Sequence, residues 1–97
     1  MNTNYVEEAR WHLQEVLKER NLEVDTTLEQ LYTLLVLCFG CFCSEEDVHS
    51  AWAVYMNTLK PDHPCLIEFN ELSREKQDLD TPYAQAIHEA WSRWTSK

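Results

Sequence analysis

Aromatic, histidine, lysine and glutamate side chains are interleaved in the second half of this 97-residue chain. Aromatic rings can stack on a planar ligand, and histidine and lysine can bind phosphate oxygens. These residue types together are the usual composition of a nucleotide pocket. The pattern makes a candidate ligand site of His49, Trp52, Tyr55, Lys60, His63, Glu71 and Tyr83. The alternative is that Trp52 and Tyr55, which lie at helical spacing, belong to the core and that His49 is a satisfied core histidine.

Metal binding is a second chemistry to consider, because Cys38, Cys41 and Cys43 are clustered upstream of two histidines and Cys65. Cys38 and Cys41 have the spacing of a zinc knuckle, but the sequence has no second pair of cysteines with the spacing that would complete a four-ligand zinc site. The cluster also lies in an apolar run, where free cysteine behaves as a small hydrophobic residue. We therefore expect the three cysteines to pack in the core, and we expect neither a metal nor a cofactor.

Catalysis is not indicated by any motif. Gly40 is the only glycine, so the chain has no glycine-rich loop for cradling phosphate or shaping an oxyanion site. It also lacks a nucleophile elbow and the paired-histidine motif of zinc hydrolases. We expect a protein that is not an enzyme.

The net charge is −9, from eight Lys and Arg against seventeen Asp and Glu. Such a surface repels a phosphate backbone, which disfavours direct binding of nucleic acid. Two interpretations remain. The acidity can simply keep the protein in solution, or it can mimic DNA and inhibit a basic protein of a host defence complex, as an anti-CRISPR-like protein would.

The N-terminal residues Met1–Tyr5 have no basic region followed by an apolar run and so do not form a secretory signal. The longest apolar stretch, Leu31 to Cys43, is well below the roughly 20 residues needed to span a bilayer, and we expect it to form a buried helix with its exit loop. A cytoplasmic location, free thiols and no membrane contact are therefore expected.

Two helices are predicted in residues 1–43. Asn2 to Asn4 can cap a first helix that runs to about Arg20, whose apolar stripe consists of Val6, Ala9, Leu13, Val16 and Leu17. Trp11 lies off this stripe, so it is either exposed or in contact with a second subunit. Thr26 and Glu29 have the spacing of a capping box for a second helix, for which Gly40 is the natural stop.

The remaining elements, in residues 44–97, are also mostly helical. Ser44 and the acidic residues after it start a third helix that ends at about Leu59, ahead of Pro61 and Pro64. A short extended segment at 66–69, a brief helix at 73–77 and a final helix opened by residues 80–82 follow. The prediction is a mainly α fold, a single domain over 1–97 with four to five short helices around one core and at most a short β element.

A family resemblance enters over roughly residues 45 to 94. The positions that carry it are His49-Ser50-Ala51-Trp52-Ala53, His63-Pro64-Cys65-Leu66-Ile67-Glu68-Phe69, Glu71-Leu72-Ser73, Lys76 and Asp80, followed by an apolar helix. This order resembles the ryanodine-receptor repeat (RyR) domain and a group of small phage and prophage proteins. The chain departs from the family in having neither glycine nor tryptophan in Asn57 to Asp62, where the family has a Gly-Trp segment, and its first 40 residues have no counterpart there.

The resemblance implies a helical domain that binds a nucleotide or nucleotide-derived molecule and is often completed by a second copy. The positions that match the family pattern are His49, Trp52, His63, Pro64, Leu66, Phe69, Glu71, Leu72, Ser73 and Asp80. Tyr55, Lys60 and Tyr83 enter the candidate site from their chemistry alone. We therefore expect a non-catalytic, anti-defence protein of phage type that sequesters a nucleotide-like immune signalling molecule in the host cytoplasm. A homodimer with its pocket at or near the interface is expected as well.

Overall fold

The computed structural model describes residues 4–96, and within them the chain is mainly α-helical, as predicted. The helices are α1 (Tyr5–Glu19), α2 (Thr26–Cys38), α3 (Glu45–Leu59), the single turn α4 (Arg74–Gln77) and α5 (Thr81–Thr95). Short 3₁₀ turns lie at Gly40–Phe42, Phe69–Glu71 and Asp78–Asp80. No strand forms in residues 4–96, and the predicted extended segment at 66–69 is an irregular connection that leads into the second 3₁₀ turn.

Side-chain caps set the starts of α1 and α3. Asn4 caps α1 by accepting a hydrogen bond from the backbone N–H of Glu7 at 2.9 Å, while Asn2 and Thr3 lie outside the described residues. Ser44 and Asp47 form a reciprocal capping box at the start of α3, with hydrogen bonds of 3.0 and 3.1 Å. The predicted start of α3 is therefore confirmed.

The capping box predicted for Thr26 and Glu29 is wrong. Asp25 is the N-cap of α2, and its carboxylate accepts a hydrogen bond from the N–H of Thr27 at 3.0 Å. The carboxylate of Glu29 instead accepts hydrogen bonds from the side chains of Arg10 and Gln14 on α1, both at 2.8 Å. Because these two donors hold it, Glu29 connects α1 with α2 instead of capping a helix.

The core lies where α1, α2, α3 and α5 meet. Its fully buried large side chains are Leu13, Val16, Val36, Val48 and Ile87. α1 packs along α5, and α2 contacts α1, α3 and α5. The predicted stripe of α1 is buried except for Val6, and Trp11, off the stripe, is 53% exposed.

The turn after α2 is anchored on α5. Gly40 has a φ of +53°, a backbone conformation that residues with a side chain rarely adopt. It also lies so close to Trp91 that a Cβ atom there would be 2.3 Å from Cδ1 of the indole. His88 on α5 donates a hydrogen bond from Nε2 to the carbonyl oxygen of Cys43. The chain therefore turns at Gly40, as predicted, because only glycine fits this backbone and this contact.

The expectation that the three clustered cysteines pack in the core is correct for Cys43 only. Burial raises the pKa of the Cys43 thiol to about 12, with the carboxylates of Asp47 and Glu45 adding to the effect. Cys38 and Cys41 are exposed, because they lie on the solvent side of the turn whose other side packs on α5.

The apolar run from Leu31 to Cys43 is only partly buried. Tyr32, Leu35 and Val36 face the core, whereas Leu34 is 51% exposed and Phe42 is 86% exposed. Instead of the expected buried helix, α2 is therefore amphipathic, because three or four apolar residues per two turns are enough to form its contact with the neighbouring helices. None of the helices in the described part of the chain is long and apolar enough to cross a bilayer.

Candidate ligand-binding cleft

A half-open cleft with a volume of about 480 Å³ lies between the connection after α1, the helices α2 and α3, and the segment that leads from residue 63 into α5. Its volume falls in the range of small-molecule pockets, which is roughly 300–1,000 Å³. The lining residues are Glu23, Val24, Leu28, Tyr32, His49, Trp52, His63, Cys65, Leu72, Lys76, Leu79, Asp80 and Tyr83.

Trp52 lies between two histidines. His49 precedes it by three residues on α3, so that both rings lie on one face of the helix. Their centroids are 5.6 Å apart and the planes are inclined by only 26°, which is a stacked arrangement. His63, from the loop after α3, meets Trp52 edge-on at 5.1 Å and 82°. The three rings form a continuous aromatic wall.

The orientation of His49 is fixed by one hydrogen bond. Its Nε2 lies 2.7 Å from the carbonyl oxygen of Ile67, so Nε2 carries the proton that it donates to this oxygen. In the neutral imidazole Nδ1 then bears a lone pair, and it faces Oδ2 of Asp80 at 4.0 Å. Phe69 packs against the same ring, with the two centroids 6.1 Å apart.

His63 is held by its own backbone. Its Nδ1 accepts a hydrogen bond from the N–H of Cys65 at 3.0 Å, which leaves Nε2 as the protonated nitrogen of the neutral ring. Because this contact spans two residues only, it fixes the ring locally without help from another helix.

Asp80 brings a carboxylate into the cleft beside these rings. Its side chain is 16% exposed. Burial raises the pKa of this carboxyl group to about 6, against the opposing effect of His49, and the negative charge of Glu45 raises it further. Asp80 is therefore largely ionised at pH 7.5 but titrates not far below it.

Two tyrosines also line the cleft. The rings of Tyr32 on α2 and Tyr83 on α5 are 5.7 Å apart and tilted by 43°. Burial raises the pKa of Tyr32 well above its usual value, with a further contribution from the charge of Asp80, so this phenol stays neutral. Val24 and Leu28 add aliphatic groups to the lining.

Four of the seven predicted site residues line the cleft: His49, Trp52, His63 and Tyr83. The other three lie elsewhere. Tyr55 packs, half-buried, against the core, Lys60 is exposed just after the last residue of α3, and Glu71 is exposed in a 3₁₀ turn. The structure thus brings together the aromatic and histidine part of the predicted site and separates its lysine and glutamate.

The lysine of the cleft is Lys76, which the candidate set does not include. The Ser73 hydroxyl accepts a hydrogen bond from the Lys76 N–H at 3.3 Å, and this cap fixes the turn of α4 that carries the lysine to the cleft. Asp80 was indicated only by the family resemblance. Tyr32 and Glu23 have no signal in the sequence, because Tyr32 reaches the cleft through the packing of α2 on α3 and α5 and Glu23 lies in the irregular connection between α1 and α2.

Within residues 4–96, no three His, Cys, Asp or Glu side chains are grouped closely enough to hold a metal ion. The cleft offers other chemistry: flat apolar rings, hydrogen-bond acceptors on His49 and Asp80, and one ammonium group on Lys76. It is suited to holding a small ligand with a planar ring.

The fold and the cleft together define a small α-helical domain with a half-open site lined by aromatic and histidine side chains. The chain belongs to the family described as a domain of unknown function (DUF7701), whose model matches residues 4–92 and therefore includes every residue of the cleft. Comparisons with curated proteins and with solved structures found no match.

Proposed function

We propose that this protein is a non-catalytic binding domain whose cleft captures a nucleotide-derived small molecule. The observation that carries the proposal is the aromatic wall of His49, Trp52 and His63, which lines a cleft of about 480 Å³ together with Tyr83. A nucleobase that stacks on these rings gains aromatic contacts and loses apolar contact with water.

The charges of the cleft restrict how many phosphate groups the ligand can carry. Lys76 is the one lysine or arginine among the lining residues, and it shares the cleft with the carboxylates of Glu23 and Asp80. A polyphosphate would meet these two carboxylates without enough positive charge to balance them. The cleft therefore suits a nucleoside, or a nucleotide with a single phosphate beside Lys76 and His63.

The biological role follows from the resemblance of the second half to RyR-type and phage proteins. In this proposal the domain sequesters a signalling nucleotide in the host cytoplasm and so keeps it from a defence receptor. Binding alone suffices for this role, and the cleft has no need of a catalytic group. A second copy that covers the open side of the cleft, in a homodimer, would slow release of the ligand.

Isothermal titration against mono-, cyclic and ADP-ribose-type nucleotides tests the proposal. We expect heat with at least one of them, and a loss of affinity of about tenfold or more in Trp52→Ala. Trp11→Ala is the matched control, because Trp11 is an exposed tryptophan on α1 that does not line the cleft. Circular dichroism of each variant shows that it is folded.

Two outcomes would contradict the proposal. One is the absence of heat with every nucleotide of the panel, and the other is an equal loss of affinity in Trp11→Ala and Trp52→Ala. Repeating the titration at low and high ionic strength separates the cleft from the acidic surface. Capture in an aromatic cleft should change little with salt, whereas docking of the −9 surface on a basic host protein should weaken steeply.

A further inference from the structure

Nδ1 of His49 and the carboxylate of Asp80 lie close together in the cleft without a hydrogen bond between them. Nδ1 of His49 lies 4.0 Å from Oδ2 of Asp80, which is too long for a hydrogen bond between them. In the neutral form of His49 the single ring proton is on Nε2, where it is donated to the carbonyl oxygen of Ile67. In that form Nδ1 of His49 and Oδ2 of Asp80 are both hydrogen-bond acceptors.

Neither acceptor is satisfied by the protein. Within residues 4–96, no backbone or side-chain group donates a hydrogen bond to the Asp80 carboxylate or to Nδ1 of His49, and Asp80 does not cap α5, which it precedes. Both residues line the cleft, so a bound ligand can reach them. The raised pKa of Asp80 agrees with a carboxylate that has lost water and has not gained donors in return.

We propose that the His49–Asp80 acceptor pair recognises an amino or amidine group on the ligand ring, so that the cleft selects bases with an exocyclic amino group over their keto counterparts. The inference rests on the proposed function and specifies its ligand class. Adenine and cytosine carry such a group, whereas hypoxanthine and uracil carry an oxygen at the same position.

The distance between the two acceptors fits this group. Hydrogen bonds from an N–H donor are about 2.9 Å long, so the nitrogen of an NH₂ group can lie at that distance from both atoms of a pair separated by 4.0 Å. Each of its two hydrogens then points to one acceptor. A keto oxygen in the same place would face a carboxylate and a lone pair, and none of the three would have a donor.

The aromatic wall places the ring so that its edge meets the pair. His49 stacks on one face of Trp52, and a base that stacks on the same face of the indole, beside His49, is roughly coplanar with the imidazole ring. The acceptor pair therefore lies at the edge of the ligand ring, where exocyclic groups are found, and Lys76 and His63 remain for the sugar and its phosphate.

Titrations at pH 7.5 with two matched ligand pairs test the inference: AMP against IMP, and CMP against UMP. We expect the amino ligand of each pair to bind about tenfold more tightly or better, because a hydrogen bond to a charged group is lost in the keto ligand. In Asp80→Asn this ratio should fall to about twofold. Glu23→Gln is the control, since it removes another carboxylate from the cleft without touching the pair, and it should keep the ratio.

Benzamidine separates this inference from the proposed function, because it carries an amidine on an aromatic ring and has no sugar or phosphate. Benzamidine binding that is lost in Asp80→Asn, with no binding of any nucleotide, supports the acceptor pair and rejects the nucleotide function. Equal affinities within both nucleotide pairs, or a ratio that Asp80→Asn leaves unchanged, overturns the inference alone. Failure of the nucleotides and of benzamidine overturns both.

Discussion

The molecule has two regions that differ in how deeply their side chains are covered. Every buried residue in the described part of the chain lies in residues 9–49 or 84–90, and none lies between Ser50 and Tyr83. The first region is the packed core of α1, α2, the start of α3, and α5. The second contains the rest of α3 and the segment up to α5, and it provides much of the cleft.

This difference indicates what each region does. A core residue contributes to stability because water is excluded from it, whereas a half-covered aromatic ring such as Trp52 still has apolar surface that a ligand can cover. The cleft region is held to the core mainly at defined points, among them the His49–Ile67 hydrogen bond and a hydrogen bond from Thr81 to Glu45 at 3.1 Å. Side chains between these points can change with little cost to the fold.

Removing the same side-chain atoms from each region should affect stability very differently. Leu13 is fully buried and Leu79, in the cleft region, is 60% exposed. We expect Leu13→Ala to lower the free energy of unfolding by about 3 kcal/mol, because it leaves a cavity in the core. Leu79→Ala should cost less than about 0.5 kcal/mol. Urea unfolding followed by far-UV circular dichroism measures both, and similar losses would mean that the two regions are not distinct.

The second test concerns the backbone on the core side. Gly40→Ala would strain a residue with a φ of +53° and push a methyl group into Trp91, so we expect a loss of about 2–3 kcal/mol. Asn21 is the matched control, because it has a φ of +57° but is exposed between α1 and α2. Asn21→Gly should change stability by less than about 0.5 kcal/mol. Thermal unfolding compares the two, and a harmless Gly40→Ala would contradict the tight contact with Trp91.

The third test uses pH on the cleft side. The pKa of Asp80 is raised from 3.8 to about 6, so the folded state holds this proton more tightly than the unfolded chain does. The stability that the protonated Asp80 carboxyl group contributes is therefore complete below pH 4 and is lost as the pH rises through 6. On going from pH 4 to pH 7.5 the parent protein loses this stability and Asp80→Asn does not. The free energy of unfolding of the variant, relative to that of the parent, should therefore rise by on the order of 1–2 kcal/mol. Urea unfolding at both pH values measures this, and a constant difference would contradict a desolvated carboxylate.

Much of the fold could be predicted because local chemistry fixes the helix ends. Ser44 is followed by three acidic residues and no competing cap, so the start of α3 is read correctly. The start of α2 is one residue from its predicted cap, because Asp25 and Thr26 are both good capping residues and only tertiary packing shows that Glu29 is used by Arg10. Exposure of Cys38 and Cys41 also depends on packing, since it follows from which side of the Gly40 turn rests on Trp91.

The candidate site could be predicted only in part, for a similar reason. His49 and Trp52 share a helical face, so their meeting follows from spacing alone. Lys60 and Lys76 are equally plausible partners from sequence, and the direction of the chain after Pro61 decides between them. The contribution of Tyr32 depends on contacts between α2 and α5, which are distant in sequence and leave no local pattern.

The smallest expected effect lies at Ser44, which caps the helix that runs from the core region into the cleft region. Ser44→Ala removes one half of the capping box and should lower the free energy of unfolding by about 1 kcal/mol. Thr26→Ala is the matched control at the start of α2, where the cap is Asp25; it should cost almost nothing, because alanine is the better helix former. Equal losses in urea unfolding would show that Thr26 caps α2 after all.

Ser44→Ala should also loosen the contact between α3 and α5. Ser44 follows Cys43, the last core residue of the turn, and precedes the helix that presents His49 and Trp52 to the cleft. Fraying of the first turn of α3 would loosen Glu45 from Thr81 and hence α3 from the start of α5. Hydrogen exchange should therefore rise in the first turns of α3 and α5 in Ser44→Ala and stay unchanged in α1, because the cap stabilises the junction and leaves the core packing intact.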